Sequence, residues 1–325
     1  MARTLVIGGT LFIGRALVEQ LLERGDEVVI MHRGAGTPFG TRVSEIQCDR
    51  NDVAAVRAAL LERRFDVVYD NVYDWQRGTT ADQVRAAAAA ASTGLRRYVF
   101  TSSMAVYPSG GPHDEGDPLV TAGHPNAYGV HKAESEDALF ELNRREGLPV
   151  ATLRPAFIYG PHNPFDREAF FWDRIRVGRP IIIPEDGSRP LQWIHVRDVA
   201  RAAVRAATED AALGHAYNLA NDPPISQIDY VRLLASIAGK PAHVVSVPRE
   251  TIERMGGKLL EPPLYFGVFL DIPPIVVRND RLRNELGVDP IPLADGLRET
   301  FDWYERQQRP QADFAWEDRV LAAAG

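Results

Sequence analysis

Cysteine is almost absent from this chain, and lysine is scarce. Cys48 is the single cysteine in 325 residues, which excludes an intrachain disulfide and a cysteine-rich metal site. Of the 37 basic residues only three are lysines, at positions 132, 240 and 258, and the others are arginines. Because arginine is the usual cation of this chain, a lysine inside a catalytic motif indicates a role that needs a compact ammonium group.

Long apolar runs and an excess of positive charge are also missing. No apolar stretch approaches the roughly 20 residues of a transmembrane helix, and the short run at residues 5–7 is followed by glycines rather than by a signal-peptide cleavage region. The net charge is −7 and the pI is about 5.7, which argues against a general binder of nucleic acid or anionic membranes. We therefore expect a cytoplasmic protein with a small-molecule partner, no membrane association and no nucleic-acid partner.

The first half of the chain alternates short apolar runs with helix-forming stretches. This order predicts an α/β fold of the Rossmann type, a doubly wound parallel sheet with helices on both faces. The expected strand order is 3-2-1-4-5-6 or a close variant, with the first glycine loop at the carboxyl edge of a central strand. The predicted strands are 4–7, 27–31, 44–48, 66–69, 97–102 and 150–153, and the predicted helices are 14–24, 52–63, 80–92 and 128–143.

Prolines become frequent after residue 160, and the regular alternation stops. Short elements separated by prolines predict a smaller, irregular lobe over the sheet. We expect residues 1–160 to form the NAD(P)-binding domain and residues 161–325 to form mainly a C-terminal substrate lobe, built mostly from 161–190 and 223–274. Two segments near 193–220, at 193–207 and 215–220, look regular enough to return to the main sheet and complete it.

The first predicted strand leads directly into a glycine-rich loop and then into a helix. Glycines at such a turn let backbone N–H groups approach a pyrophosphate at the positive end of the helix. A tight strand–helix turn without a ligand also uses glycines, and Leu11 stands where a G-x-x-G-x-x-G loop normally has its middle glycine. The candidate phosphate-binding residues are Gly8, Gly9, Thr10, Leu11, Phe12, Ile13 and Gly14.

The end of the second strand bears on the choice between NAD and NADP. An NAD enzyme normally has an acidic residue there, whereas this chain has His32 and Arg33. Since an arginine forms charge-assisted hydrogen bonds with a 2′-phosphate, the sequence favours NADP over NAD; the alternative is that Arg33 only points into solvent. Asp49 and Arg50 follow the third strand and are candidates for the adenine end, and Asp49 is equally suited to be a helix N-cap.

Tyr128 and Lys132 are four residues apart and would share one face of a helix. A tyrosine hydroxyl has a pKa of about 10, and a nearby ammonium group and an oxidised nicotinamide both favour its phenolate form. Such a tyrosine exchanges a proton with a substrate alcohol while hydride moves to or from the cofactor. Ser103, at the end of a predicted strand, would give the same oxygen a second hydrogen bond. A chance Tyr-x-x-x-Lys pair is the alternative.

These motifs together resemble the extended short-chain dehydrogenase/reductases, and specifically the NAD-dependent epimerase/dehydratase family. The resemblance covers nearly the whole chain and is carried by the runs 8–14, 101–107, 128–132, 153–161 and 193–200. Within the family, the Gly-Gly-Thr loop and residues 158–163 look closest to bacterial relatives of the chloroplast stem-loop-binding proteins, which are members of the fold associated with RNA.

The resemblance implies a role for each residue of the catalytic motif. Tyr128 is then the acid/base, Lys132 its modulator and a ligand of the cofactor ribose, and Ser103 the partner of the substrate oxygen. Ser102 and Pro155 are expected beside the cofactor, and the resemblance is compatible with a homodimer.

Two departures from the family pattern limit the reaction. Dehydratases of the family commonly carry an acidic residue just after the strand-end Ser/Thr, and Met104 and Ala105 cannot move protons. Family members also often place a diphosphate-binding arginine where this chain has Leu191. Arg189 and Arg278 are near enough to substitute for it and are equally suited to be surface residues.

Three hypotheses follow. The first is an epimerase of a sugar or nucleotide sugar. The second is an NADPH-dependent reductase of a less polar carbonyl, suggested by Trp172 and the apolar segment 264–270, which are equally suited to form lobe core. The third is an RNA-associated or regulatory protein that binds the cofactor without turnover, which the intact Tyr-x-x-x-Lys motif and the acidic pI disfavour.

Overall fold

The computed structural model describes residues 1–259 and 265–324. The strands in chain order are Arg3–Ile7 (β1), Glu27–His32 (β2), Ser44–Gln47 (β3), Val67–Asp70 (β4), Arg97–Thr101 (β5), Gly110–His113 (β6), Val150–Pro155 (β7), Phe157–Tyr159 (β8), Pro180–Pro184 (β9), Pro190–Leu191 (β10), Trp193–His195 (β11), His215–Leu219 (β12), Ile225–Ser226 (β13), His243–Val247 (β14) and Ile275–Val277 (β15). The helices are Phe12–Glu23 (α1), Val53–Leu60 (α2), Ala81–Ala90 (α3), Ala127–Glu146 (α4), Arg167–Arg176 (α5), Val196–Thr208 (α6), Gln227–Ile237 (α7), Arg249–Arg254 (α8), Phe266–Phe269 (α9), Asp280–Asn284 (α10), Leu293–Glu305 (α11) and Ala315–Ala324 (α12).

Seven of these strands form a parallel sheet in the order β12-β7-β5-β4-β1-β2-β3. The central strands β4, β5 and β7 are buried at every residue, as expected when helices cover both faces of a parallel sheet. One face packs against α1 and α6, and the other packs against α2, α3 and α4. The predicted strand order is confirmed, and the glycine loop lies at the carboxyl edge of the central strand β1.

The expectation that residues 193–207 return to the main sheet is wrong. β11 pairs instead with β8 in a separate two-stranded parallel sheet, and the chain then forms α6, which packs on α1. The place beside β7 is taken by β12, and β11 pairs with β8, the short strand that continues the chain after β7. The motif residue His195 caps α6 by accepting the Arg197 N–H through Nδ1 at 3.2 Å.

The C-terminal part of the chain packs around buried aromatic rings. Trp172 is fully buried and donates to the Leu234 carbonyl, while the rings of Trp193 and Tyr230 stack with centroids 4.2 Å apart. Within the segment 264–270, Phe266, Val268 and Leu270 are buried, and residue 264 lies outside the described residues. Trp172 and this segment therefore form lobe core. No helix in the two described ranges is long and apolar enough to span a bilayer.

Gly14 is the residue on which the packing of α1 against the glycine loop depends. A Cβ atom at this position would lie only 1.7 Å from the Gly8 carbonyl oxygen. Gly14→Ala should therefore lower the free energy of unfolding by about 1–3 kcal/mol, although alanine normally stabilises a helix relative to glycine. Urea denaturation measures the change, and Gly116→Ala is the control because nothing lies within 4 Å of a Cβ there. Equal stability of the two variants would contradict this account of the loop.

Candidate active site

The glycine loop leaves the positive end of α1 open. α1 begins at Phe12, and its N-cap residue Leu11 makes no side-chain capping hydrogen bond. The first N–H groups of a helix have no partner within the helix and attract anions. Leu11 has an extended backbone with φ of −127°, so the missing middle glycine introduces no strain, and its side chain is exposed. Uncapped amides beside a close-packed glycine turn fit the pyrophosphate of a dinucleotide.

The other loop residues support this turn. Gly8 has a φ of +86° and donates its N–H to the Met31 carbonyl at 2.9 Å, which ties the loop to β2. Phe12 and Ile13 turn their side chains to the core, whereas Thr10 is half-buried. A Cβ on Gly9 would lie 2.9 Å from the Ile30 side chain. The residues predicted from the sequence thus form one continuous turn at the carboxyl edge of the sheet.

A network of charges surrounds the ends of β2 and β3. The exposed Arg33 donates through Nη1 to Asp74 Oδ2 at 3.1 Å, and Arg77 links Asp74 with Asp49. The backbone N–H and guanidinium of Arg77 lower the pKa of Asp74 to about 2. His32 bonds to Glu45 through Nε2 at 2.7 Å. Arg33 is therefore held on one side by a carboxylate, with most of its side chain open to a ligand.

Asp49 and Arg50 have different surroundings. Asp49 accepts the Asn51 N–H at 2.9 Å and the hydrogen bond with Asn51 lowers its pKa. It is not the N-cap of α2, because Asp52 has that position. The guanidinium of Arg50 is buried and binds Asp70 and the Gln83 carbonyl. The structure thus places Arg50 in the interior and leaves Asp49 half-buried at the strand ends.

The three catalytic candidates come together where β5 ends. Ser103 follows β5 and begins a short 3-10 turn, with Oγ accepting the Ala105 N–H at 3.1 Å. Tyr128, in the first turn of α4, is hydrogen-bonded to Ser103. One turn further along, Lys132 Nζ donates to the Thr101 carbonyl at 2.6 Å and lies 4.5 Å from the centre of the Phe100 ring.

Gly129 explains how α4 comes so close to the strand end. A Cβ at this position would lie 2.1 Å from the Ala105 carbonyl oxygen. Any other residue would push the helix, and with it Tyr128, away from Ser103. The sequence analysis did not identify Gly129, although its place between the tyrosine and the lysine of the motif is the signal that marks it.

Burial shifts the pKa of both ionisable groups of the motif in the direction that favours their uncharged forms. It raises the pKa of Tyr128 to about 12, an effect that the hydrogen bond with Ser103 partly offsets. Burial lowers the pKa of the Lys132 ammonium to about 8, and the carboxylate of Asp70 partly offsets that change. Without further positive charge, Tyr128 is therefore a proton donor rather than a base at neutral pH.

Two further candidates lie beside the motif. Ser102 is buried, donates its backbone N–H to the Leu153 carbonyl at 2.7 Å, and has a side-chain oxygen without a hydrogen-bond partner. Pro155 is the last residue of β7 and pairs with Leu219. Both therefore lie at the carboxyl edge, as expected of residues beside a cofactor.

An aromatic wall, formed by Tyr73, Trp75 and Phe165, covers Tyr128. The rings of Tyr73 and Trp75 each lie 4.7 Å from the Tyr128 ring, and Phe165 meets the edge of Trp75 at 5.8 Å. Trp75 is 62% exposed, so the wall faces solvent on its outer side. The sequence analysis missed these residues; the position of Tyr73 and Trp75 directly after β4, whose carboxyl end is at the same sheet edge, was the available signal.

The arginines proposed to replace the one missing at Leu191 are both engaged elsewhere. Arg189 pairs with Asp271 at 3.2 Å, and the exposed Arg278 pairs with Asp114, also at 3.2 Å. Leu191 itself is buried in the lobe core.

Comparison with known proteins shows the family of the chain. Residues 4–220 match the model of the NAD dependent epimerase/dehydratase family. The chain belongs to this family. Among its curated members, chloroplast stem-loop binding protein of 41 kDa b from Arabidopsis thaliana is 27% identical over 98% of this chain and 84% of its own length. The dTDP-4-dehydro-6-deoxy-D-allose reductase of Streptomyces bikiniensis is 25% identical over 94% of this chain and 98% of its own.

Among solved structures, UDP-glucose 4-epimerase from Thermotoga maritima superposes with a TM-score of 0.78. It is 20% identical, and the alignment covers 94% of this chain and 99% of the epimerase. This likeness shows the Rossmann-type fold of the epimerase/dehydratase family and does not extend to the substrate.

Lys132 gives stability a measurable pH dependence. Its ammonium titrates at about 10.4 in an unfolded chain and at about 8 in the folded protein. Because the unfolded state binds more protons between these values, the stability that Lys132 contributes rises as the pH increases from 8 to 10. Denaturant titrations at both pH values should show the parent gaining about 2 kcal/mol relative to Lys132→Met, which has no ammonium to titrate. Parallel pH profiles of the two proteins would rule out the buried ammonium.

Proposed function

We propose that the protein is an NAD(P)-dependent epimerase or oxidoreductase that acts at a hydroxyl or carbonyl carbon of a sugar or nucleotide sugar. The observation that carries the proposal is the convergence of Ser103, Tyr128 and Lys132 at the sheet edge that also holds the open glycine turn. Membership of the epimerase/dehydratase family supports an enzyme of this class.

The residues present suit the cofactor and a proton-transfer step. When bound, the nicotinamide accepts or supplies hydride. The glycine turn would hold the pyrophosphate, and Lys132 would hold the ribose hydroxyls. Tyr128 gives a proton to the substrate oxygen when a carbonyl is reduced and takes one back when an alcohol is oxidised. Ser103 donates a second hydrogen bond to the same oxygen and so fixes its position.

The surroundings of the motif favour epimerisation or reduction over dehydration. Met104 is buried and Ala105 packs against α4. Since neither side chain is ionisable, neither position offers an acid for elimination. Both favoured reactions need only the catalytic motif and the cofactor.

A second candidate is an NADPH-dependent reductase of a less polar carbonyl. The aromatic wall favours it, because Trp75 and Phe165 would bury apolar surface of a substrate next to Tyr128. The third hypothesis, RNA association without turnover, receives less support: one relative is named for stem-loop binding, but a net charge of −7 repels the phosphates of RNA.

Replacing the phenol tests the proposed chemistry. Tyr128→Phe removes only the ionisable oxygen, so folding and cofactor binding should survive while hydride transfer to a nucleotide-sugar substrate slows by about 10²–10⁴-fold. Stopped-flow absorbance at the reduced nicotinamide band measures the rate. Tyr217→Phe is the control, since Tyr217 lies in the edge strand β12 and its hydroxyl bonds the Ala211 carbonyl and Glu285. A Tyr128→Phe protein with the parent rate would refute the assignment.

We further propose that NADP is preferred over NAD. Asp74 holds the guanidinium of Arg33 at the end of β2, where Arg33 could bind the 2′-phosphate of NADP. Arg33→Ala should weaken NADP binding by about tenfold or more and leave NAD affinity nearly unchanged. Fluorescence titration with both nucleotides measures the ratio. Arg24→Ala, which removes an arginine after the far end of α1, should change neither affinity. Equal affinities of the parent for NAD and NADP would end the claim.

A further inference from the structure

Arg167 is a buried arginine at the start of α5, between the catalytic edge of the sheet and the lobe. Its side chain is enclosed by three rings, with Cζ 5.0 Å from the centre of Phe157, 5.6 Å from Trp193 and 6.0 Å from Phe165. The residue is only 8% exposed. Removing a guanidinium from water is costly unless another group compensates its charge.

Most buried arginines of this protein have such a group. Arg50 pairs with Asp70, Arg154 with Glu136, and Arg174 with Glu317. Arg167 makes no ion pair within the described ranges: Nη1 donates to the Ile158 carbonyl at a long 3.3 Å, and Nε has no hydrogen-bond partner. Only Arg97 resembles it among the described buried arginines, and Arg97 lies at the amino end of β5, away from the catalytic edge.

The neighbouring carboxylate does not take the place of an ion-pair partner. Glu168 is buried, and its Oε2 accepts a hydrogen bond from Asn163 at 3.0 Å. Its other oxygen, Oε1, has no hydrogen-bond partner. Burial raises the pKa of Glu168 and lowers that of Arg167. Glu168 therefore makes no ion pair with Arg167 that would offset the burial of the two groups.

A continuous set of contacts connects Arg167 to the reacting end of the site. Phe165, which lies over the guanidinium, meets Trp75, and Trp75 lies against Tyr128. Ile158, whose carbonyl accepts from Arg167, belongs to β8, which follows the cofactor candidate Pro155 by one residue. The guanidinium of Arg167 therefore packs against the same aromatic side chains that cover Tyr128.

We propose that Arg167 binds the anionic group of the substrate, a phosphate or a carboxylate, while the carbon to be oxidised or reduced lies at Tyr128. This proposal rests on the proposed function and names the class of substrate, an anionic one. A guanidinium forms two parallel hydrogen bonds with either group, and rings packed on its faces hold its plane in place. The bound anion would supply the ion-pair contact that no described side chain makes with Arg167.

Binding measurements without turnover test this assignment separately from the hydride chemistry. The probes are UDP for a phosphate and D-glucuronate for a carboxylate, with uridine and D-glucose as their uncharged counterparts, titrated calorimetrically into the full-length protein. Arg167→Met fills the aromatic surroundings without charge and should weaken binding of the preferred anion by about tenfold or more. Arg97→Met, which removes the other unpaired buried arginine, should leave the affinity unchanged.

The melting temperature distinguishes recognition from a structural role. Because a poorly compensated buried charge is removed, Arg167→Met should melt at the parent temperature or above it. A lower melting temperature with unchanged anion affinity would overturn the proposal, as would a parent that binds neither anion more tightly than its uncharged counterpart. If Arg167→Met does not fold, Arg167→Lys decides: weaker anion binding in a folded protein supports the proposal and parent affinity refutes it.

The outcome for hydride transfer is independent. Suppose that Arg167→Met loses anion binding and that the parent protein catalyses no hydride transfer. That result would support the anion site and refute the proposed function. If instead the parent catalyses hydride transfer but binds neither anion more tightly than its uncharged counterpart, the proposed function stands and the anion site is refuted.

Discussion

Helix α4, which carries Tyr128 and Lys132, is held against the end of β5 by two contacts that leave almost no free space. Gly129 brings the helix backbone onto the Ala105 carbonyl, and Lys132 Nζ hydrogen-bonds to the Thr101 carbonyl. Together they fix the distance between the phenol of Tyr128, on the helix, and the hydroxyl of Ser103, on the strand end. The Rossmann-type sheet places the glycine turn at the same carboxyl edge as these two side chains.

The electrostatics follow from that tight packing. Burial keeps Tyr128 protonated, with a pKa of about 12, and brings the pKa of Lys132 to about 8. The protein alone therefore favours a neutral phenol, and the positive charge that favours phenolate must come from an oxidised nicotinamide and a protonated Lys132. Arg167 is similar, since its buried guanidinium has no ion-pair partner among the described residues. In the proposed function, bound ligands would complete the charge at both positions.

Sequence patterns predicted the features of the fold and the site that depend on residues close together in the chain. The strand order, the glycine turn and the Tyr128–Lys132 face follow from short apolar runs, turn residues and a four-residue spacing. β11 was misplaced because its partner depends on which strand already covers the edge of the sheet, a non-local fact. Trp75 and Arg167 belong to no motif, and only the folded chain brings Trp75 to Tyr128 and Phe165 between Trp75 and Arg167.

The central claim, that Tyr128 is the acid/base of a dinucleotide site, is tested most directly by the pKa of its phenol. The ultraviolet difference between the parent and Tyr128→Phe, followed as a function of pH, isolates the ionisation of this tyrosine. We expect a pKa of about 12 in the ligand-free protein and a clear fall when oxidised NADP or NAD is added, because the cationic nicotinamide would lie beside the hydroxyl. A pKa that is the same with and without saturating oxidised cofactor would contradict the account.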